Sequence, residues 1–472
     1  MRKLLDKLRT AYSKAPASVR GKLAPFLVLA PIASLYGSTY TEYRDNIDRS
    51  AHDEGFVREW RRKRLCEILG CAIDKSPYYQ RIAQEHGITY DALARLGEAA
   101  LAQFPILTKE MIREHRMQML TCSKDALSEI STGGSSGTPL SFYLDKDRSV
   151  KEWAFLQDYW SKIGFTPKCV RAVFRGVLID NVDTKPWEYD AALRELRLSP
   201  FHLTDEFEAK YCQLIQQKGI AYLHGYPSAI SIFAGYVQRT NHAIRRQIKG
   251  VICASEQLHA YQREAIEHAF PNAQVTSFYG LSEKVLIGNE VRQRPGVYDL
   301  QPLYGYAELV DEAGEAILEP GRRGRLLGTS LLFQGMPLIR YDTGDTAELV
   351  ALPTEKNLHR MRICAIEPRR GTEFVVGAQG QLISMTAINI HSSAYSKILA
   401  FQFRQRKPGE VRLCVSLAPG ATPADLEPFV REISTKIGQS VQFEVELKAD
   451  MQRTARGKAK FIEQELDISQ YL

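Results

Sequence analysis

Helices alternating with strands through residues 140–290, a closely spaced series of turns from Tyr298 to Val350, and a β-α-β pattern near the C-terminus predict a mixed α/β fold in two units. The expected architecture is a large N-terminal α/β domain, residues 1–368, that carries an antiparallel β layer. A small C-terminal α+β domain, residues 369–472, follows it, with the junction drawn through Ile366 to Gly371.

The chain opens on basic Met1-Arg-Lys-Leu-Leu and then carries Pro25-Phe-Leu-Val-Leu-Ala-Pro31. That apolar run falls far short of the roughly 20 residues that span a bilayer, so a packed arm is expected, with membrane contact at most peripheral. Val57 to Ile73 places Trp60, Leu65, Ile68, Leu69, Ala72 and Ile73 at helical spacing, and Ser76-Pro77 stops that helix. Phe104-Pro-Ile-Leu-Thr-Lys109 reads as extended, with Thr108 capping a helix that starts at Lys109. Leu140-Ser-Phe-Tyr-Leu144 reads as a buried strand, Lys151 to Trp160 as a helix and Val170 to Val177 as a strand. Ile220 onward delivers a turn at Gly225-Tyr-Pro-Ser228, and Val251-Ile-Cys-Ala-Ser-Glu256 repeats the design. Ala260 to Phe270 is a helix stopped by Pro271, and Val275 to Phe278 is a strand that empties into Tyr279-Gly-Leu-Ser-Glu283. In a parallel α/β sheet ligands gather outside the carboxyl ends of the strands, where these polar loops converge.

Near the C-terminus, Val411 to Leu417 and Val441 to Leu447 alternate strictly, so each is expected to bury one face. Between them Leu426, Phe429, Val430, Ile433 and Ile437 form a helical stripe that Gly438 ends, with Pro428 tolerable only near its start.

The 472 residues carry 62 Lys and Arg against 55 Asp and Glu, spread along the chain. This suits small anionic ligands and argues against nucleic acid as a partner. The eight cysteines are scattered without a C-x-x-C pair, as expected of reduced thiols in a cytoplasmic protein.

Ser131-Thr-Gly-Gly-Ser-Ser-Gly-Thr-Pro139 is dense in backbone N–H and hydroxyl donors. A flexible linker has the same composition. The shortness of the stretch and the strand that follows it favour a nest for the oxygens of a polyphosphate. No Gly-Lys-Ser/Thr closes it, so it is not a Walker A loop.

Four segments in this order, Ser131–Pro139, Tyr279–Glu283, Tyr341-Asp-Thr-Gly-Asp345 and Arg456-Gly-Lys458, resemble the adenylate-forming superfamily. Ser76-Pro-Tyr-Tyr79, Phe104–Lys109 and Gly225–Ser228 look like its phenylacetate-CoA ligase branch and the relatives of that branch in capsular polysaccharide biosynthesis. The resemblance implies that Ser135, Ser136, Gly137 and Thr138 cradle the phosphates of ATP. It also implies that Tyr279 lies against adenine, with Gly280 and Ser282 beside it, and that Asp345 accepts from the ribose hydroxyls. Glu283 would hold Mg²⁺, and Ser255, Glu256 and Arg369 would contact the nucleotide. Lys458 would be the catalytic cation that stabilises charge as a substrate carboxylate attacks the α-phosphorus. The implied activity is AMP-forming activation of a carboxylic acid, followed by acyl transfer to CoA or, alternatively, to a carrier thiol or a sugar amine or hydroxyl. The junction departs from the family pattern. Arg369 matches, but Pro368 replaces glycine and Thr372 replaces aspartate, which bears on the second half-reaction and motivates a non-catalytic nucleotide-binding scaffold as the alternative. Tyr226, His224, Ser255 and Phe278 are candidates to line the acid pocket, His224 more in keeping with a structural histidine.

Overall fold

A computed structural model of the chain describes residues 32–132, 140–191, 193–367, 373–385, 397–418, 420–448 and 462–471. The helix Glu54–Lys75 buries Val57, Leu65, Ile68, Leu69 and Ala72, the stripe its sequence encodes. Asp53 caps it, accepting from the Phe56 N–H at 2.9 Å. Extended Ser76 ends it and then caps the next helix, Pro77–His86. Thr108 likewise caps Lys109–His115, accepting from the Met111 N–H at 3.3 Å.

Strands β1 (Leu127–Ser131) and β2 (Ser141–Asp145) pair antiparallel. They flank the Gly/Ser segment, whose base is closed by Thr132 N–H on the Leu140 carbonyl at 2.9 Å. Residues 133–139, and with them Ser135, Ser136, Gly137 and Thr138, lie outside the described residues.

After the helix Arg148–Ser161 come β3 (Arg171–Phe174), β4 (Trp187–Asp190), β5 (Glu195–Leu198), β6 (Tyr222–Gly225), β7 (Gly250–Cys253) and β8 (Gln274–Gly280). Then follow β9 (Ile287–Val291), β10 (Arg294–Leu300), β11 (Gly305–Val310), β12 (Arg323–Ser330), β13 (Tyr341–Ala351) and β14 (Arg362–Glu367). Among the described residues these form one 12-stranded sheet in the order 11-12-13-14-10-9-8-7-6-3-5-4. Its β5-β3-β6-β7-β8 section is parallel, and from β8 to β11 every pairing is antiparallel. The antiparallel layer expected from the turn spacing is therefore continuous with the parallel sheet.

Side chains alternate between two faces. Tyr222 and Ile252 enter the core shared with the N-terminal helices and Arg148–Ser161. Leu223, Val251 and Cys253 enter a second core with the helices Asp205–Gln217, Pro227–Arg239 and Ala260–Ala269. That second core also takes in Val375, Ile383, Phe401, Phe403 and Phe429 from the C-terminal region.

The C-terminal region holds β15 (Phe374–Val376), β16 (Leu382–Ser384), β17 (Ile398–Lys407), β18 (Glu410–Leu417), β19 (Gln442–Leu447) and β20 (Ile462–Gln464). Its four-stranded sheet runs 19-18-17-20, with the helix Glu427–Ile437 between β18 and β19 in sequence. Pro428 sits in the first turn of that helix, where no N–H is missed, and Gly438 ends it at φ +63°.

Two sequence expectations need correction. The strand placed at Val170 to Val177 is confined to Arg171–Phe174, because the chain turns out of the sheet at Gly176, whose N–H reaches the Tyr226 hydroxyl at 3.4 Å. The alternation of Val441 to Leu447 buries a face only over its first half: Val441 is buried and Phe443 packs against the second core, but β19 is an edge strand, and Val445 and Leu447 are 39% and 48% exposed.

Candidate active site

The site is built around Glu283, at the end of the loop that leaves β8. Its side chain is 4% exposed. Its Oε1 accepts from the Tyr341 hydroxyl at 2.6 Å and lies 3.7 Å from the Lys109 ammonium. Three segments far apart in sequence meet there for traceable reasons. Leu107 bridges to Tyr341, with Leu107 N–H on the Arg340 carbonyl at 3.1 Å and Asp342 N–H on the Leu107 carbonyl at 2.9 Å. Tyr79 braces the same stretch from beneath, its hydroxyl donating to the Pro337 carbonyl at 2.9 Å. The Ser76–Tyr79 and Phe104–Lys109 segments thus position the start of β13.

Tyr279 and Asp345 form the second pair. The Tyr279 hydroxyl donates to Asp345 Oδ2 at 2.7 Å, and the Asp345 N–H donates to Thr343 Oγ1 at 3.1 Å. Asp345 is 7% exposed and Tyr279 is half-buried. Burial, and next the Asp345 carboxylate, push the Tyr279 hydroxyl far above its ordinary range, so it stays a donor. Gly280 and Ser282 lie exposed on the rim.

Glu256, after β7, accepts from the Ser228 N–H at 3.3 Å and from the hydroxyl of Ser384 in β16. Ser255 beside it is exposed, with φ +68°. Gly225 in the neighbouring turn leaves no room for a side chain: a Cβ there would stand 2.2 Å from the Phe174 carbonyl oxygen. His224 is buried against the Trp160 ring, centroids 4.8 Å apart, with no hydrogen-bond partner among the described residues on either ring nitrogen. Burial, then the Arg175 and Arg171 charges, hold it neutral.

The structure therefore brings Glu283 together with Tyr341 and Lys109, and Tyr279 together with Asp345. Arg369 and Lys458 lie outside the described residues. Lys109 and Tyr341 were not singled out as site residues from the sequence. Tyr341 stands inside the motif that ends at Asp345, and Lys109 directly follows the capping Thr108, but only the tertiary fold brings them to Glu283.

Taken together, the sheet and its layers have the fold of an adenylate-forming CoA ligase. No family model matches the chain. The structure is similar to that of 2-hydroxyisobutyryl-CoA ligase with 2-HIB-AMP and CoA, in the thioesterification state (TM-score 0.54, 18% identity, 86% of this chain and 89% of that one). The postadenylation state of the same ligase gives a TM-score of 0.52 at 17% identity, over 89% and 92% of the two chains. In sequence the chain is similar to protein CapK of Staphylococcus aureus, 22% identical over 414 residues, 85% of this chain and 88% of the relative. It is also 24% identical to phenylacetate-coenzyme A ligase of Aromatoleum evansii over 327 residues, 67% and 71% of the two chains. The branch that the motifs resemble is the branch that these comparisons find.

Proposed function

We propose that the protein activates a carboxylic acid with ATP, releasing pyrophosphate, and passes the acyl group from the resulting acyl-adenylate to an acceptor. The observation that carries this reading is the convergence of the Tyr279–Asp345 pair and the Glu283–Tyr341–Lys109 cluster at one end of the sheet. Asp345 would accept from the ribose hydroxyls while Tyr279 fixes its free rotation and offers its ring to adenine. Ser135, Ser136, Gly137 and Thr138 would supply donors to the phosphates, and Ser255, Glu256, Gly280, Ser282 and Arg369 would border the nucleotide.

Glu283 suits Mg²⁺: it is a buried carboxylate held in place by a hydroxyl and an ammonium, and Mg²⁺ typically takes one or two protein carboxylates plus substrate phosphates. Among the described residues no group of three or more His, Cys, Asp or Glu is placed to hold a metal ion, and in this reading Mg²⁺ would arrive with ATP. When bound it would neutralise phosphate charge.

The acid's carboxylate oxygen attacks the α-phosphorus and the bond to the bridging oxygen breaks. Lys458 would stabilise the charge that develops there. In this reading residues 1–368 and 369–472 are the two domains, and the acceptor is CoA, with a carrier thiol or a sugar amine or hydroxyl as alternatives. No helix among the described residues is long and apolar enough to cross a membrane, and the cytoplasm is the compartment we assign.

Acid-dependent ATP–pyrophosphate exchange across aryl, fatty, hydroxy and amino acids tests the proposal. Lys458→Ala is expected to lower exchange by ~10²-fold, the scale for losing one preorganised donor. Undiminished exchange in that variant removes Lys458 from the mechanism. Pro368 and Thr372 at the junction favour one second reading, a nucleotide-binding scaffold. ATP binding without exchange on any acid would select it.

A further inference from the structure

A cavity of about 220 Å³ opens at the far end of β8 from Tyr279, lined by Gln274, Val275 and Thr276 of that strand. At a rise of about 3.3 Å per residue, Thr276 stands roughly 10 Å behind Tyr279. The opposite wall is the end of the helix Arg148–Ser161, whose earlier turn carries Glu152, paired with Lys284 next to Glu283. Both walls therefore belong to elements that also reach the site described above, yet the cavity shares none of its residues.

We infer that this cavity is a binding site for a small phosphate-bearing anion with a compact apolar body. Tyr159 lines it with a side chain only 3% exposed, and its hydroxyl has no hydrogen-bond partner among the described residues. After Asp158, the charges that act on that hydroxyl are Arg360 and Asp299, which line the same cavity. A buried hydroxyl without a partner is costly and marks where an acceptor belongs.

The carboxylates of the wall are already committed. Glu290 takes both oxygens to Arg263, at 2.6 and 2.7 Å, and accepts further from the Ser277 and Gly296 N–H groups. Asp299 is held by Arg362. Arg292 and Arg360 have no ion-pair partner among the described residues, and Lys162 has only Asp158 at 3.5 Å. Two uncommitted guanidinium groups and a shared ammonium match a dianion better than a monocarboxylate. Ile163, Val275, Val291 and Pro295 complete the wall with apolar surface. The volume is many times what a single water occupies and leaves room for a phosphate on a small organic group.

Calorimetric titration of the full chain with phenyl phosphate tests the site, with benzoate and phenol alongside. Phenyl phosphate is expected to bind one to one and more tightly than benzoate, and phenol not at all. Arg360→Gln and Tyr159→Phe are each expected to weaken phenyl phosphate by about tenfold, the loss of one charge-assisted hydrogen bond. Exposed Arg292→Gln, which no fold contact requires, is expected to weaken it in the same direction. Without ligand, Tyr159→Phe is expected to melt higher than the parent, since it deletes an unpartnered buried hydroxyl. No binding, or binding that all three variants leave unchanged, overturns the site. Benzoate binding as tightly as phenyl phosphate overturns the phosphate preference, and a lower melting temperature for Tyr159→Phe overturns the unpartnered hydroxyl.

Discussion

Replacing Tyr279 by Phe separates two roles that the site assigns to one residue. The ring, and with it any platform for adenine, is kept, and only the hydroxyl that donates to Asp345 at 2.7 Å is removed. A hydrogen bond to a charged group contributes about 1.5–3 kcal/mol, and Asp345, at 7% exposure, has little water to replace it. Taking the low end of that range, ATP affinity is expected to fall by about tenfold. The coupling is the decisive quantity. If Tyr279 acts by orienting Asp345, its removal should matter little once Asp345 is gone. Calorimetric ATP titration of Tyr279→Phe, Asp345→Ala and the double variant closes the cycle. The expected coupling is about 1 kcal/mol or more, with Asp345→Ala alone markedly weakening ATP. An equal loss from Tyr279→Phe in both backgrounds, or an unaltered ATP titration in Asp345→Ala, refutes the assignment.

Glu283→Gln keeps the shape and removes the charge that Lys109 and Tyr341 hold in place; acid-dependent exchange should then need markedly more Mg²⁺ for half-maximal rate, and an unchanged Mg²⁺ titration excludes Glu283 as the metal carboxylate. Gly225→Ala should cost about 1–3 kcal/mol in urea unfolding, since its Cβ would meet the Phe174 carbonyl oxygen at 2.2 Å where β3 and β6 pair. Burial lifts Glu208 from 4.5 to about 8, and one of its oxygens has no hydrogen-bond partner among the described residues. Because the folded value lies above the unfolded one, its favourable protonated state is fully kept below about pH 4.5 and lost as pH rises through about 8. Glu208→Gln should therefore gain a few kcal/mol over the parent at about pH 9 and almost nothing at about pH 4, and a gain independent of pH would contradict the buried proton.

Local rules carried much of the fold. The stripe of Val57 to Ile73, the cap at Thr108 and the proline near the start of Glu427–Ile437 each act within a few residues, and the structure follows them. The expectation for Val441 to Leu447 holds only for Val441 and Phe443, because alternation specifies two faces but not how far a neighbouring element covers one of them. β17 went unread for a related reason. Ile398–Lys407 mixes Phe401 and Phe403 with arginine, glutamine and lysine, and its place inside the sheet comes from β18 and β20, which flank it. In the site, Glu283, Tyr279 and Asp345 stand in the two motifs, Tyr279–Glu283 and Tyr341–Asp345, by which the chain resembles the superfamily, and their roles are proposals. Lys109 and the bond from Tyr341 were not legible in the sequence, since the bridge from Leu107 to Tyr341 that delivers them is a tertiary contact without a periodic signature.

The backbone carries a further mark of the site. Asn181 and Asn241 take positive φ, as asparagine does readily, and so, away from the site, do Arg194, Leu358, His359 and Ala365; Ser255, Lys284 and Arg340 do so at +68°, +57° and +50°. Each is the immediate neighbour of a site residue: Glu256, Glu283 and Tyr341. Such a conformation costs of order 1–3 kcal/mol and persists only where surrounding contacts over-determine it. Those contacts are visible. Lys284 is tied to Glu152, and Arg340 to Glu308 at 3.1 Å and to the Phe104 carbonyl at 2.9 Å. Relaxing any of these backbones to the ordinary region would swing the adjoining side chain away from its partner. The strain and the ties that hold it thus fix the direction of Glu283 and Tyr341 before any ligand arrives, preorganisation of the kind that the proposed transition state, with its developing phosphate charge, would require.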